Sequence, residues 1–531
     1  MISLSRRFCR VFYSRAEPTS CRQDESSPPN KVRRVKLEDR PEVYKPLRPN
    51  YIHRLPLELL GDVFHFYVHS EGPSDMPSTH SALQEPALTS TLSSPASPFI
   101  LSRVCWTWRR LSLAMPGLWS SLAVYRPTFS QLEAIQLWLK RSGNSPLYIY
   151  IHEPHSQPLA DPDERAIDDL LSLLAEHAAQ WRHFGLQRCG LSPPLMLHRL
   201  PFNSFSRLES VALGFHDQND DAWAEFYKVP SLRRISWDVS RVELNIVKFA
   251  PWWNLTHVKL PRISGMAVDD LLRAMLYCVH LEDLELAMTM PLEPQSRAGN
   301  ANVITAHPLP ADLRRPPNPE PRTLRDVYDR AQFLTSLANL ATVHQAPIDL
   351  LLPNLRFLKV HARGRDAAPL LDRLTLPALT SLDVLHYMTS SVPSSTTYIT
   401  ELLVRSGSHK LQTLSIYDPD LPEDEILPLL TSPHLHSLRH LELLVSRVTD
   451  RTIEILTPAH RPGAPRRLPD LRCLVLPDCV TSDRLLSTMV ISRQPVLKTM
   501  KFSVAADTPL KEDVAILREL ARQSSFCLSV I

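Results

Sequence analysis

A six-residue pattern decides the fold of this chain, and it is clearest in two stretches, Leu411-Gln412-Thr413-Leu414-Ser415-Ile416 and Leu438-Arg439-His440-Leu441-Glu442-Leu443. Each stretch begins with a leucine and ends with two apolar residues that are separated by one polar residue. Apolar and polar residues that alternate in this way are typical of a β-strand with one buried face. Self-similarity at a period of about 20 to 50 residues indicates a repeat architecture.

The same pattern, L-x-x-Φ-x-Φ with Φ apolar, recurs ten times along the chain. The leading leucines are 24, 23, 26, 74, 24, 32, 27, 33 and 26 residues apart, and the spacing of 74 contains an interruption. The copies are Leu208/Val211/Leu213, Leu232/Ile235/Trp237, Leu255/Val258/Leu260, Leu281/Leu284/Leu286, Leu355/Leu358/Val360, Leu379/Leu382/Val384, Leu411/Leu414/Ile416, Leu438/Leu441/Leu443, Leu471/Leu474/Leu476 and Leu497/Met500/Phe502.

A short strand that recurs at this spacing resembles the leucine-rich repeat. The resemblance implies an α/β fold, a solenoid over 126–531 in which the leading leucine and the Φ pair point inward. The asparagine that usually follows the strand in this family is absent, so we expect an irregular array. Residues 146–151 and 181–186 resemble two degenerate strands ahead of the first copy.

Two helices and one loop are predicted around these strands. Leu132, Ile135 and Leu139 indicate a capping helix that ends at Gly143, where a helix C-terminus favours glycine. The proline-rich insertion 289–322 is predicted to be a disordered loop. A helix is then predicted to begin at Thr323, because one face carries Leu324, Val327, Tyr328, Ala331, Leu334 and Leu337.

The strand residues that flank each Φ pair must point to the opposite, concave face of the array. Their chemistry changes from strand to strand, which favours recognition of a protein over a repeated polymer. Phe357 and Tyr417 are candidate anchors because aromatic side chains dominate interface energetics, although loops that shield them are the alternative. The predicted target-binding residues are Phe357, Lys359, His361, Tyr417, His440 and Glu442.

Two further helices are predicted ahead of the array. Leu60, Val63, Phe64 and Tyr67 share one face of a helix that begins near Pro56. A polar stretch, 70–98, reads as a loop. A second helical segment over 101–115 ends before Pro116.

This pair of helices resembles the F-box, in the version abundant in fungi. The resemblance is carried by Leu55-Pro56-Leu57-Glu58-Leu59-Leu60, by Val104-Cys105-Trp106-Thr107-Trp108-Arg109-Arg110-Leu111 and by Pro116-Gly117-Leu118-Trp119. It implies a small helical domain over 50–125, with an insertion at 70–98, that docks on a Skp-type adaptor and through it on a cullin–RING ligase. The adaptor-binding residues that it implies are Leu55, Pro56, Glu58, Leu59, Val63, Phe64, Leu101, Val104, Cys105 and Trp108.

Two alternatives remain open at this point. Trp108 and Trp119 could instead pack against the following domain. The 70–98 insertion lengthens a loop at a small entropic cost, but it could also shield the adaptor-binding face.

Composition excludes several classes of function. The chain has 531 residues with 12 Gly and 48 Pro, and it lacks both the phosphate-binding loop and the Rossmann turn. Its net charge of +3 comes from the N-terminal arm, since residues 1–48 hold 12 basic and 6 acidic side chains of 59 and 56 in total. The remainder is about neutral, which argues against nucleic-acid binding. No run of 18 apolar residues occurs, so no membrane span is predicted.

The N-terminal arm, 1–49, is predicted to be disordered and basic. The first 16 residues could be a transit peptide, and the cluster 31–36 is similar to a nuclear-import signal. A solvated arm is the alternative for both. The eight cysteines lack a C-x-x-C spacing, which favours reduced thiols and a cytoplasmic or nuclear location.

No catalytic, cofactor-binding or metal-ligating constellation is found in the sequence. His434, His436 and His440 have metal-like spacing but lack a nearby thiolate or carboxylate cluster. We therefore expect a non-catalytic protein without a cofactor. The resemblance to the F-box implies that it is the substrate-recognition subunit of a Skp–cullin–F-box ubiquitin ligase. The alternatives are an interaction scaffold with an occluded F-box and a mitochondrial repeat protein.

Overall fold

The computed structural model describes residues 52, 55–69, 97–152, 161–187, 195–215, 226, 229–239, 252–263, 268–288, 303–306, 349–363, 367–387, 395–407, 409–458, 467–504, 510–523 and 526–530. Contacts divide the chain into two compact units, Met1–Leu55 and Pro56–Ile531. In the first unit, the Leu55 N–H donates to the Ile52 carbonyl at 3.3 Å. The predictions for the arm 1–49, for the insertion at 70–96 and for the helix that begins at Thr323 lie outside the described residues.

The second unit is a mixed α/β structure built on a large parallel sheet of 14 strands. Neighbouring strands in this sheet follow chain order, and every described pair is parallel. The strands are β1 Ser121–Tyr125, β2 Leu147–His152, β3 Trp181–Gln187, β4 Ser210–Phe215, β5 Arg234–Val239, β6 His257–Ile263, β7 Asp283–Met288, β10 Phe357–Arg363, β12 Ser381–Tyr387, β13 Thr413–Asp418, β14 His440–Val445, β15 Cys473–Cys479, β16 Thr499–Val504 and β17 Cys527–Val530.

A second, three-stranded parallel sheet is built from segments that lie between β7 and β12 in the sequence. Its strands are β8 Val303–Thr305, β9 Asp349–Leu351 and β11 Leu374–Thr375, in the order β11-β9-β8. Strand β8 lies inside the 289–322 insertion, so the prediction of a disordered loop is wrong for residues 303–305. Val303, Ile304 and Thr305 are β-branched, which favours a strand despite the surrounding prolines.

Twelve helices are described. They are α1 Leu57–His69, α2 Pro98–Val104, α3 Trp106–Ala114, α4 Phe129–Ser142, α5 Asp161–Ala175, α6 Val268–Met275, α7 Ala368–Leu371, α8 Thr397–Ser406, α9 Glu423–Leu430, α10 Asp450–Leu456, α11 Leu485–Ser492 and α12 Lys511–Gln523. Helix α4 is the predicted capping helix, and the φ of +55° at Gly143 explains why glycine ends it.

The repeated pattern builds the core. All ten leading leucines are buried, and so are the described side chains of the ten Φ pairs. The pairs are in register across the sheet, as where Leu358 lies between Leu284 and Leu382. Burial of aliphatic side chains in this continuous layer is the main stabilising contribution, at about 25 cal/mol per Å² of apolar surface.

The helices α1 and α3 pack against each other through Phe64 and Trp108, whose ring centroids lie 4.7 Å apart. Helices α1, α2 and α3 form what we call the helical unit. Trp119 joins this unit to helix α4, because its Nε1 donates to the Ser112 carbonyl at 2.9 Å and its carbonyl accepts from Trp138 Nε1 at 2.7 Å. The alternative that we kept open for Trp119, packing against the following domain, is therefore the observed one. Strand β1 also lies within 50–125, so the parallel sheet begins before the boundary expected at 126.

The predicted face of α1 needs a correction. Its buried residues are Leu60, Gly61, Phe64 and Val68, whereas Val63 is exposed. Gly61 takes a place in the buried face because the Met115 side chain approaches it, with Sδ and Cε 3.2 Å from where a Cβ would stand. The buried face of α1 is therefore rotated relative to the predicted one, so that Val68 lies on it and Val63 does not.

Carboxylates link consecutive helices in the C-terminal half. Glu423 of α9 accepts from the Thr449 and Thr452 N–H groups at 3.0 and 3.2 Å, at the start of α10. Asp450 of α10 accepts from the Ser482 N–H at 2.6 Å, just ahead of α11. Asp513 of α12 accepts from the Ser487 N–H of α11 at 2.7 Å. Each link satisfies N–H groups that a helix start would leave without partners.

A buried arginine satisfies carbonyls in the same region. Arg493 donates to the carbonyls of Leu456, Leu468 and Arg467 at 2.6, 2.8 and 3.2 Å. Burial lowers the pKa of Arg493 to about 10, so the guanidinium stays charged at neutral pH. None of the described helices has the length and the apolar content needed to cross a bilayer.

We predict that Arg493→Met lowers the free energy of unfolding by about 3 kcal/mol, because buried carbonyls lose charged donors. Urea unfolding followed by circular dichroism measures this change. Arg451→Met is the matched control, since Arg451 pairs with Asp424 in an exposed ion pair that is worth less than about 1 kcal/mol. Equal effects of the two substitutions would contradict the assignment.

We also predict that Gly185→Ala destabilises the protein by about 1–3 kcal/mol, through overpacking. A Cβ at Gly185 would overlap Cδ2 of Tyr150 and lie 3.1 Å from its Cε2. Gly117→Ala is the control, because a Cβ there meets nothing within 4 Å. The thermal midpoints of both variants test the prediction, and adding Tyr150→Ala should restore part of the loss at Gly185.

Candidate protein-interaction surfaces

The side chains between the Φ pairs lie on the face of the sheet opposite the core, which we call the polar face. Parallel pairing places equivalent residues side by side across the strands, at about 4.8 Å per strand. One such row runs through Lys259, Glu285, Lys359, Asp383 and Ser415. Charges of opposite sign therefore alternate over β6, β7, β10 and β12.

Glu285 is the centre of this row. Its carboxylate lies 3.2 Å from Lys259 Nζ, 3.6 Å from Lys359 Nζ and 3.4 Å from His361 Nε2. Only 4% of Glu285 is exposed. A carboxylate buried to this extent needs paired partners, and the two strands on either side, β6 and β10, supply three of them.

Two carboxylates of β7, Asp283 and Glu285, have pKa values shifted in opposite directions. Burial raises the pKa of Asp283 to about 6, and the nearby charge of Glu285 adds to the shift. Burial also acts to raise the pKa of Glu285, but the contact with His361 and the ammonium groups of Lys259 and Lys359 outweigh it and lower that pKa to about 2. The cations thus stabilise one carboxylate more than the other.

The predicted target-binding residues are divided by the structure. Lys359 and His361 are mostly buried and contact Glu285, so they belong to the charged row. Phe357 is exposed. Tyr417 is half-buried and lies in register with His361 through Leu385. His440 Nε2 lies 3.9 Å from Glu442 Oε2, and Ser415 Oγ donates to the same oxygen at 3.4 Å.

Sequence reasoning missed the role of Glu285, although the signal was present. The charged residues occupy the same repeat position in four consecutive strands of the large sheet and alternate in sign. The register turns that pattern into contacts between side chains far apart in the sequence, since Glu285 meets Lys259 of the preceding strand and Lys359 of the following one.

Aromatic side chains cover the polar face at the N-terminal end of the sheet. Tyr150 packs with Tyr125 and Tyr148, and its hydroxyl donates to Gln187 Oε1 at 2.9 Å. His183 is buried beside Gly185, and burial together with the charge of Arg234 lowers its pKa to about 4. This end of the face is therefore packed rather than charged.

The helical unit carries the second surface, and the structure separates the predicted adaptor-binding residues into two groups. Phe64, Leu101 and Trp108 are buried, and Trp108 is only 6% exposed. These three support the unit from inside and cannot offer their side chains to a partner, so their assignment as contact residues is corrected. Cys105 is half-buried, and the remaining predicted residues are exposed: Leu55, Pro56, Glu58, Leu59, Val63 and Val104.

Exposed apolar side chains are concentrated in this small region. Of the sixteen large apolar residues exposed among the described residues, eight lie in 57–113: Leu57, Leu59, Val63, Phe66, Ile100, Val104, Trp106 and Leu113. On α1, Leu59, Val63 and Phe66 fall at i, i+4 and i+7 and form one stripe opposite the buried face, with Leu59 51% and Phe66 60% exposed. Exposed apolar patches of this kind mark interaction sites.

The histidines that could suggest a metal site are explained by other contacts. His69 Nε2 lies 3.1 Å from the Gly117 carbonyl and packs on His65. His434 stacks on His409. Within the described part of the chain, no group of three or more His, Cys, Asp or Glu side chains is arranged to hold a metal ion.

Comparison with known proteins identifies no family. No family model and no curated protein match the chain. Among solved structures, a Bacteroides fragilis protein determined by a structural genomics consortium is 13% identical and has a TM-score of 0.28, and the match covers 70% of this chain and 84% of that one. A TM-score this low leaves the fold and the function to be argued from the chain itself.

We predict opposite effects of substitutions at Asp283 and at Glu285, two carboxylates of β7 of which Glu285 lies in the charged row. Asp283→Asn should raise the free energy of unfolding at pH 7 by about 1–2 kcal/mol, because it removes a carboxylate that is costly to ionise. The native pKa of about 6 lies above the usual 3.8, so the gain should fade as the pH falls from 6 toward 4.

Glu285→Gln should instead lower the free energy of unfolding at pH 7 by about 1–3 kcal/mol. The native pKa of about 2 lies below the usual 4.5, so the deficit is complete above pH 4.5 and shrinks below it. Unfolding measured from about pH 2.5 to pH 8 tests both substitutions, because the low-pH limb samples the interval between the native and unfolded pKa values of Glu285. Glu454→Gln, at an exposed position, is the control, and effects of the same sign for the two variants would contradict the charged row.

Proposed function

We propose that this protein is the substrate-recognition subunit of a Skp–cullin–F-box ubiquitin ligase, with a fungal-type F-box at 50–125 and an irregular leucine-rich-repeat solenoid behind it. The observation that carries the proposal is the concentration of exposed apolar side chains on the helical unit, at the residues that resemble the F-box motif. Such surface is costly in water, and a partner that buries it recovers that free energy.

The adaptor-binding side of the proposal rests on α1 and on the segment between α2 and α3. Leu59, Val63 and Phe66 form the exposed stripe of α1, while Leu60 and Phe64 hold the same helix to the unit. One short helix therefore presents two apolar faces, of which the unit itself covers one. A Skp-type adaptor is the proposed cover for the other.

The leucine-rich-repeat part of the proposal is supported by the parallel strands in chain order and by the buried leucines that precede them. Its target-binding surface is the polar face between β6 and β14. Phe357 and Tyr417 flank the charged row there, which combines aromatic anchors with ordered charges.

The chemistry in this proposal is supplied by partners. The adaptor connects the chain to a cullin–RING ligase, and the polar face holds the target so that its lysines reach the ubiquitin-loaded conjugating enzyme. The gain in rate comes from proximity, which converts an encounter in solution into a reaction between positioned groups. The rival proposal is a scaffold that binds proteins without the adaptor.

We predict that the full chain binds a recombinant Skp-type adaptor, and that Leu59→Asp combined with Val63→Asp abolishes binding by placing two charges in the apolar contact. Pull-down and calorimetry measure the interaction. Val404→Asp is the control, because Val404 is similarly exposed on α8, outside the helical unit.

The outcomes separate the two proposals. Binding by the wild type and the control, with loss in the double variant, supports the ligase subunit. Absence of binding by the wild type would contradict the ligase proposal and favour a scaffold that binds proteins without the adaptor. All three proteins should have the same thermal midpoint within about 2 °C, because the substituted side chains are exposed.

A further inference from the structure

Helix α3 has two faces of different character. Trp108 and Ser112 are buried and face the helical unit. Trp106 and Leu113 lie on the opposite side at i and i+7, and both are exposed, Trp106 by 68%. Trp106 is thus the most exposed large apolar side chain in the described part of the chain.

Arg110 fixes the position of this tryptophan. Its guanidinium carbon lies 4.5 Å from the centroid of the Trp106 ring, one helical turn away. A cation above an indole ring at this distance is worth about 0.5–1 kcal/mol at an exposed site. The contact favours one orientation of the ring before a partner arrives, which reduces the entropic cost of binding.

The ring also continues the proposed adaptor-binding surface. Val104 and Cys105 directly precede it, and Val104 forms an exposed apolar pair with Ile100 on α2. Cys105 has an extended backbone, with φ −158° and ψ 172°, and separates the two helices. The exposed apolar residues of α2, Ile100 and Val104, are therefore followed directly in the chain by Trp106 at the start of α3.

We propose that Trp106, oriented by Arg110, is an anchor of the adaptor-binding surface. This inference rests on the proposed function and assigns to Trp106 the contact that the sequence resemblance gave to Trp108. Tryptophan and arginine are the side chains most enriched among residues that dominate binding energy. The sequence WTWRRLSLA of α3 contains no acidic residue, so the adaptor segment that covers Trp106 is expected to be apolar with acidic side chains at its edge.

The test measures the dissociation constant of the full chain for a recombinant Skp-type adaptor. Trp106→Ala should weaken binding at least tenfold, and Trp106→Phe should weaken it less because an aromatic ring remains. Arg110→Ala should weaken binding three- to tenfold, and its remaining affinity should depend less on salt concentration. Ile491→Ala is the control, since Ile491 is exposed on α11.

A spectroscopic measurement separates contact from a structural role. The fluorescence difference between the wild type and Trp106→Phe isolates the signal of Trp106, and its emission should shift to the blue when the adaptor is added. Thermal midpoints should be unchanged in all variants.

Wild-type affinity in Trp106→Ala, together with loss of binding in the α1 double variant, overturns this inference and leaves the proposed function standing. Failure of the wild type to bind the adaptor overturns both.

Discussion

The structure depends on a column of backbone hydrogen bonds at the start of the strands. In strand after strand, the carbonyl of the residue that follows the leading leucine accepts two N–H groups from the next strand, as Arg356 accepts from Thr380 and Ser381 at 2.8 and 2.9 Å. The column runs from Glu209 to Arg472. It sets the register, and register decides which side chains meet, because a slip of one residue would turn every Φ pair to the wrong face.

Once register is set, the two faces of the sheet have different roles. The core face is filled by aliphatic side chains and leaves little room for variation, since packed interiors resist changes in volume. The polar face varies more from strand to strand, so the charged row around Glu285 and the aromatic cluster around Tyr150 differ while their backbones are equivalent. Charged and aromatic clusters can therefore occupy the polar face while the aliphatic packing of the core face stays the same.

Local sequence patterns correctly predicted the features of the fold that depend on neighbouring residues in the chain. The buried Φ pairs and the helix that ends at Gly143 followed from periodicity and from a residue suited to positive φ. The burial of Trp108 and the exposure of Val63 did not, because both depend on how α1 and α3 pack. The same limit applies to Glu285, whose partners come from different strands, and to Trp106, whose role depends on Arg110 one turn away.

The carboxylate links between α9, α10, α11 and α12 constrain how this array can change in evolution. The links differ in their donors and in their direction along the chain: Glu423 accepts from Thr449 and Thr452 further on, Asp450 from Ser482 further on, and Asp513 from Ser487 of the preceding helix. Removing or duplicating one unit would bring together ends that do not match and leave a carboxylate or a helix start unsatisfied. We therefore expect the C-terminal repeats to be gained or lost as a block, and their number to vary less than their surface residues do.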